Sequence, residues 1–531
     1  MASFSLYQPL LSIFAFILLY RVLNSAVRRY QRSRKAKKLG CQPVPLEATV
    51  LPLGLDMFLK MAKASKEQRL PDFIVERYNA MGPRYTWRTR VLGSEYFTTA
   101  DPQNIQAILA TQFTDFSLGV SRRTNLSPIL GVSVFALDGR AWHDAREVIR
   151  PIFSREQVSD IALLERHFQE MLQCMPLDSQ GWTQVVSLAA LFPSLTLDTA
   201  TELFLGKSTQ TLLKKASRIR GEPNQVVQEN QEDFQWAFDR VQEILSTRLR
   251  LRGLYWLYGS RELQKCIAIL HKLCDQAIAE ASECTKKNPL VKRYDFLEAL
   301  ISRSTSHAAV RDHVLGLLAA GRDTTAALTS WIFYCLIRHP GILAKLRRII
   351  LDTFGPYQEE QTTITFASLK ACTYLQYVIN ETLRLHSVVP FNSRTAVHDT
   401  TLPVGGGKFG DAPVYVPKGA EVNFSSHVLQ RRHDLWGPDA DEFVPDRWEK
   451  KRPGWNYVPF NGGPRICVGQ QYALTEAGYL VVRILQRFDV IEGIDVDLTR
   501  DWHYFKLMCS PGPGSDSVKV RMRAIGMSNK I

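Results

Sequence analysis

Beyond residue 140 apolar positions recur mainly with helical spacing. Segments 196–205, 234–254 and 263–279 each predict an amphipathic helix. Segment 313–339 predicts a longer one, stopped by Pro340, and 369–386 another, with Pro390 just beyond. Strand signals are short. Residues 84–99 alternate around a Gly-containing turn and predict a hairpin, while 412–419 and 518–524 predict single strands. The pattern is mainly α with small β-sheets. It has no internal repeat and no interior linker, so the body is expected to be one domain.

The N-terminus follows a different pattern. Residues 6–27 are mostly apolar, densest over 10–20, and long enough for one membrane-spanning helix. Gln8, Pro9, Arg21 and Asn24 dilute the stretch, which leaves an interfacial helix or a signal peptide as alternatives. A cleaved signal would carry its positive charge before the apolar run. Here the charge follows it, in Arg28, Arg29, Arg32, Arg34, Lys35, Lys37 and Lys38. The positive-inside rule keeps such a cluster cytoplasmic. The expected organisation is an anchor over 1–27, a basic stop-transfer segment and Pro-rich hinge over 28–45, and a catalytic domain over 46–531.

Charge and cysteine content narrow the function. The net charge is +14, and the seven cations of the basic cluster leave only +7 for the rest of the 531 residues. That distribution suits a membrane surface and argues against nucleic acid. Nine cysteines occur with no CxxC pair, which excludes a zinc ribbon and fits reduced thiols on the cytosolic side.

One cysteine stands out. Residues 460–479 hold Phe460, Gly463, Arg465, Cys467 and Gly469 in the pattern F-x-x-G-x-R-x-C-x-G. At average residue frequencies this pattern arises by chance on the order of once in ten thousand chains of this length. Cys467 precedes a helix-like run over 470–486, and a thiolate at a helix N-terminus is expected to have a lowered pKa. Gly463 and Gly469 would let backbone approach a flat ring closely. Arg465 has the fork geometry to hold a carboxylate.

The segment resembles the haem-binding signature of the cytochrome P-450 family. That resemblance implies a single large domain, mainly α with small β-sheets. Haem b would lie between a long central helix and the loop carrying Cys467, its axial thiolate ligand. "AGRDTT", Ala320 to Thr325, matches the family's A-G-x-D/E-T on such a helix. Its Gly and paired Thr residues suggest a local kink. By resemblance, Thr324 hydrogen-bonds bound dioxygen and Asp323 relays protons.

Glu381 and Arg384 match the family's E-x-x-R, with Arg447 of "FVPDRW" as third partner, a structural lock behind the haem. Asp446 stands where a Glu is usual. Two other pairs, Glu147…Arg150 and Glu449…Arg452, share the spacing; only position selects Glu381. Trp142 and Arg146 match W-x-x-x-R and, with Arg394, are implied propionate donors.

Within the family, "ILATQFTDFSLG" and "LDGRAWHDAR" look like the fungal alkane and fatty-acid hydroxylase branch. That implies oxidation of a long aliphatic chain at the endoplasmic reticulum membrane. Electrons would come from NADPH through a separate cytochrome P-450 reductase, with cytochrome b5 as a further partner. Pocket residues are expected among Leu118, Leu126, Ile129, Leu130, Val134, Phe135, Val388, Val389 and Phe391. Arg122 and Arg123 are either surface charge, the favoured reading, or carboxylate anchors. Segment 248–260 either touches the membrane or packs as an amphipathic helix. A reductase-independent isomerase, dehydratase or peroxygenase of the same fold is the alternative, against which the intact Asp323–Thr324 pair argues. A non-enzymatic haem-binding protein is a more distant one. The sequons at Asn125, Asn380 and Asn423 are coincidences in a cytosolic domain.

Overall fold

A computed structural model describes residues 7–153, 160–222, 229–287, 295–304, 306–358, 364–512 and 517–525. Residues 1–6 of the expected anchor lie outside this range. The apolar N-terminus forms α1 (Tyr7–Lys38), which runs unbroken through the basic cluster. At 32 residues it is about 48 Å long. Ile13, Phe16, Leu19, Leu23 and Val27 are exposed on it. The Pro-rich segment expected as a hinge is docked on the body: Cys41 and Val44 are buried, Gln42 N donates to Pro413 O and Arg88 N to Pro45 O.

The helices around the centre are α2 (Val120–Leu130), α3 (Gly139–Ile149), α4 (Leu188–Leu205), α5 (Glu229–Leu251), α6 (Ser260–Lys287), α7 (His307–Arg338), α8 (Thr373–Leu385) and α9 (Gln470–Arg487). The axis of the body is α7. Ser306 caps its start, its side chain accepting from Ala309 N, and Pro340 follows its end. It is apolar nearly all round, as a helix buried in a large core must be. Its two halves serve different cores. Val310, Val314 and Leu318 pack with α2, α5 and α6, whereas Trp331, Phe333 and Leu336 pack with α4, α8 and α9. Between them lies the polar stretch from Ala320 to Thr325.

Several helices exceed their expected bounds, because capping and tertiary packing extend them past the periodic segment. The segment predicted as one helix over 369–386 is two, Phe366–Ala371 and α8, separated at Cys372. Among the described residues, the helix long and apolar enough to cross a membrane by length and composition is α4. It is 78% buried, hence a core helix.

The predicted hairpin is β1 (Thr86–Val91) with β2 (Ser94–Thr99), turning at Leu92 and Gly93, both at positive φ as a two-residue turn demands. These strands belong to a five-stranded sheet with β3 (Phe116–Ser117), β5 (Phe391–Ala396) and β8 (Glu421–Ser425), in the order β1-β2-β8-β5-β3. A three-stranded sheet joins β4 (Val186–Ser187), β12 (Lys519–Ala524) and β9 (Phe488–Gly493). Two hairpins remain, β6 (Thr400–Gly406) with β7 (Ala412–Val416), and β10 (His503–Phe505) with β11 (Cys509–Pro511).

Candidate active site

The Cys467 loop is shaped by backbone. A single helical turn, Gly463–Arg465, leads into it, and Cys467 N donates to Phe460 O at 3.0 Å. Phe460 itself packs against the larger core. Gly463 has φ +65°, and a Cβ there would lie 1.9 Å from Leu109 O. What it approaches closely is therefore the neighbouring backbone, not an open face where a ring would lie. Gly469 has ordinary φ, and a Cβ would meet only Phe153, at 3.5 Å. Its contribution is an amide directed at the Cys467 thiol.

Seven other described cysteines are buried; Cys467 is exposed. Burial of the thiol within the fold nevertheless pushes its pKa up, with the Gly469 amide and Arg146 pulling the other way. The sulfur thus faces an interior recess, and desolvation overrides the expected lowering by the helix terminus.

Four arginines gather beside it. Arg465 donates to Asp138 Oδ1 at 2.8 Å and Leu137 O at 2.9 Å, and lies over the buried Trp142 ring, 4.3 Å from its centroid. Arg146 donates to Ile466 O at 2.9 Å, one residue before the cysteine. Arg394, buried, and Arg122 share the side-chain oxygen of Asn392, each at 2.9 Å. Burial first, then neighbouring guanidiniums, brings Arg394 down to about 9; burial and the same crowding bring Arg465 down to about 10. Asp138 is the carboxylate that Arg465 meets. Arg122, favoured as surface charge, instead points inward, while Arg123 is exposed.

On α7, Thr324 Oγ1 donates to Ala320 O at 2.5 Å. The helix continues without a break through 320–325, where the sequence suggested a kink, and this back-bond occupies the Thr324 hydroxyl. Asp323 Oδ2 accepts from Gln242 Nε2 of α5 at 2.5 Å, and Arg322 Nη1 stands 3.5 Å from its Oδ1. Burial raises the pKa of Asp323, with Arg322 as the chief opposing charge. Arg322 also reaches Asp239 of α5 at 2.5 Å. Gln242 and Arg322 carried no recognisable sequence signal, since a helix-to-helix pair leaves no spacing to read.

The structure brings the three residues of the expected lock together. Glu381 and Arg384 are both fully buried and joined by two hydrogen bonds of 2.8 Å. Glu381 also accepts from Arg447 Nε at 2.8 Å, Trp448 Nε1 at 2.9 Å and Val444 N at 2.9 Å. Asp446 lies outside it, paired with Lys345 on the surface, which is why Asp serves in place of Glu. The competing Glu147 is exposed, and Arg452 donates to the carbonyls Trp448 O, Glu449 O and Lys451 O. Of the expected pocket residues, Leu118, Leu126, Ile129, Leu130 and Val388 are buried and Val134 and Phe135 pack against the α2–α5–α7 core. The sequon residues Asn125 and Asn380 are held inside, Asn380 by Tyr457.

The cytochrome P-450 family model matches residues 51–515. The chain is 57% identical to cytochrome P-450 monooxygenase alt2 of Alternaria solani over 515 residues, covering 95% of this chain and 96% of that one. It is 42% identical to monooxygenase g430 of a Fusarium species, covering 93% and 87%. It is also 42% identical to cytochrome P-450 52E1 of Candida apicola, covering 88% and 89%. With a cysteine loop, an acid–threonine pair and a buried Glu–Arg lock on one scaffold, and relatives aligned over nearly their full length, the chain belongs to the cytochrome P-450 family and is a haem-thiolate monooxygenase.

Proposed function

We propose that this protein hydroxylates a C–H bond of a lipophilic substrate carrying a long aliphatic chain, from an anchored position on the endoplasmic reticulum membrane. The observation that carries the site assignment is the juxtaposition of an accessible thiol in a recess with more guanidiniums than carboxylates. A flat macrocycle bearing two propionates and a metal fits that donor set. Cys467 would ligate the haem iron through its sulfur, and a thiol that coordinates a metal is deprotonated outright. Arg122, Arg146, Arg394 and Arg465, with Trp142, receive the propionates, which relieves the crowding of like charge. Bound haem supplies reductive activation of dioxygen.

The residues of α7 manage protons. Asp323, its pKa raised by burial, takes protons from the Arg322–Asp239–Gln242 side and passes them inward. Thr324 offers its hydroxyl once it leaves Ala320 O. The Glu381 lock fixes the scaffold. Electrons come from NADPH through a separate reductase, as the family implies, with cytochrome b5 as a second donor. The aliphatic substrate rests on the apolar lining named above and on the resemblance to the fungal alkane and fatty-acid hydroxylase branch; α1, with its exposed apolar residues and basic end, is the anchor.

The first test is a spectral titration of the ferric protein with long-chain fatty acids and alkanes. A low-spin to high-spin shift of the Soret band is expected as the chain displaces water from the iron. No shift across the series, with the carbon monoxide band intact, would overturn the aliphatic assignment and leave the enzyme class standing. Turnover without any reductase would overturn the electron route.

A further inference from the structure

Behind the apolar wall of α7 and β5 lies a polar cluster that oxygen chemistry does not use. His386 follows α8, His427 lies in the short helix Ser426–Leu429, and His503 opens β10. Their exposures are 4%, 2% and 1%. The His386 ring stacks on Trp331 of α7, centroids 4.0 Å apart and planes within 5°. The His503 ring is 5.9 Å from that of His386 and 5.4 Å from that of His427. Asp501, two residues before His503, brings Oδ2 to 4.0 Å from His386 Nε2.

Two features set this cluster apart from packed core histidines. One ligand atom each from His386, Asp501 and His503 lies within 4.8 Å of the others. In addition, His386 Nδ1 and both ring nitrogens of His503 are buried without a hydrogen-bond partner. Buried imidazole nitrogens without partners call for an explanation, an ion or water among them.

We infer that His386, Asp501 and His503 form a divalent transition-metal site of the zinc class. Two imidazoles and one carboxylate are a zinc donor set, with a fourth position left for water. Calcium and magnesium demand oxygen ligands and are excluded by the imidazoles. Bonds of about 2.0–2.2 Å bring ligand atoms to about 3.3 Å from one another, so each side chain moves inward by about 1 Å. The surroundings support this geometry. His503 Nδ1 makes no hydrogen bond, but Asp72 Oδ1 lies 3.4 Å away, near enough that a small ring rotation would make it the carboxylate that orients a metal-bound imidazole. Tyr334 holds Asp501 Oδ1 at 3.3 Å. Arg431 opposes the cation from 3.4 Å off Asp501 Oδ2, a contact that metal binding replaces. The bound ion would tie the end of α8 to the β10–β11 hairpin, whose Phe505 meets Phe391 edge-on at 5.5 Å. It would thus brace one pocket wall from behind.

The test counts metal on the haem-loaded, full-length enzyme, with haem iron as the internal standard. After equilibration with zinc chloride and desalting, one zinc per iron is expected in the wild type. Asp501→Asn and His503→Gln should each weaken retention at least tenfold. His143→Ala should not, although the exposed His143, Asp144 and Glu147 form another candidate group. Zinc X-ray absorption on the wild type needs no variant to fold, and should show two imidazoles and no sulfur. A zinc-to-iron ratio below about one in ten, retention by both variants, loss in His143→Ala, or a sulfur shell would each overturn the site.

Discussion

Asp323 is mostly buried on α7, with Gln242 of α5 and Arg322 both at its carboxylate. Gln242 donates to Oδ2, which favours the carboxylate and works against the rise that burial causes. Replacing it with Leu removes that donor, so Asp323 should stay protonated to higher pH. The limb of the pH–turnover profile that reports this group should move up by about one unit or less. An unchanged profile would remove Gln242 from the relay. Thr324→Ala belongs to the same scale. Electron consumption should continue while product per NADPH falls several-fold, about 1 kcal/mol of coupling; unchanged coupling would exclude the hydroxyl. Cys467→Ala should abolish the carbon monoxide band of a thiolate-bound haem, and a retained band would move the ligand elsewhere. Thr324, Asp323 and Cys467 were legible because each sits in a local motif. Gln242, Arg322 and the inward turn of Arg122 were not, because their roles depend on which neighbouring element they meet.

At the scale of elements, α8 and α9 carry the two clearest energetic statements. Glu381 joins Arg384, Arg447, Trp448 and a backbone amide, all inside the core. Glu381→Ala leaves the buried Arg384 without its carboxylate and Arg447 with Asp439 alone, a loss of about 3–5 kcal/mol. The expected outcome is protein that recovers little haem per chain and unfolds at lower denaturant. Asp446→Ala, beside it in sequence but on the surface, should change stability by about 0.5 kcal/mol or less; an equal effect of the two would dissolve the lock. On α9, Glu476 is buried and accepts from Thr199 of α4 at 2.7 Å. Burial pushes its pKa up to about 7, from an ordinary 4.5. An acid raised on folding costs stability as pH climbs from its unfolded pKa, and the cost is complete above its folded one. Glu476→Gln keeps an acceptor for Thr199. It should gain up to about 3 kcal/mol above pH 7 and nothing below the ordinary value. Urea melts at the two extremes check the sign. Helix existence was readable from periodicity here, but boundaries were not. Cys372 splits one predicted helix into two, and α7 runs on without a break through a segment whose composition suggested a kink.

For the whole molecule the decisive quantity is where charge lies, since +14 overall says less than seven cations within residues 28–38. Those residues form the exposed end of α1, and Lys35 reaches Asp399 on the body at 2.5 Å. The helix therefore meets the body at the turn before β6, beside the β6–β7 hairpin, so the orientation of α1 in a bilayer fixes which side the body occupies. Each cation near an anionic leaflet contributes about 1 kcal/mol, and in the proposed topology together they would retain this end on the cytosolic side. Neutralising Arg28, Arg29, Arg32, Arg34, Lys37 and Lys38 to Gln, with Lys35 kept for its contact, should let a fraction of chains insert with the body in the lumen. The chain carries its own reporters for that event. Asn125, Asn380 and Asn423 lie in sequons that a cytosolic body never presents to the glycosylation machinery. Once folded, Asn125 is buried and Asn380 is held by Tyr457, so modification must precede folding and would prevent it. The wild type should run as a single unglycosylated band. The neutralised variant should add a heavier, endoglycosidase-sensitive band that carries no haem. A wild type already sensitive to the endoglycosidase would place the body in the lumen and reverse the topology proposed for α1.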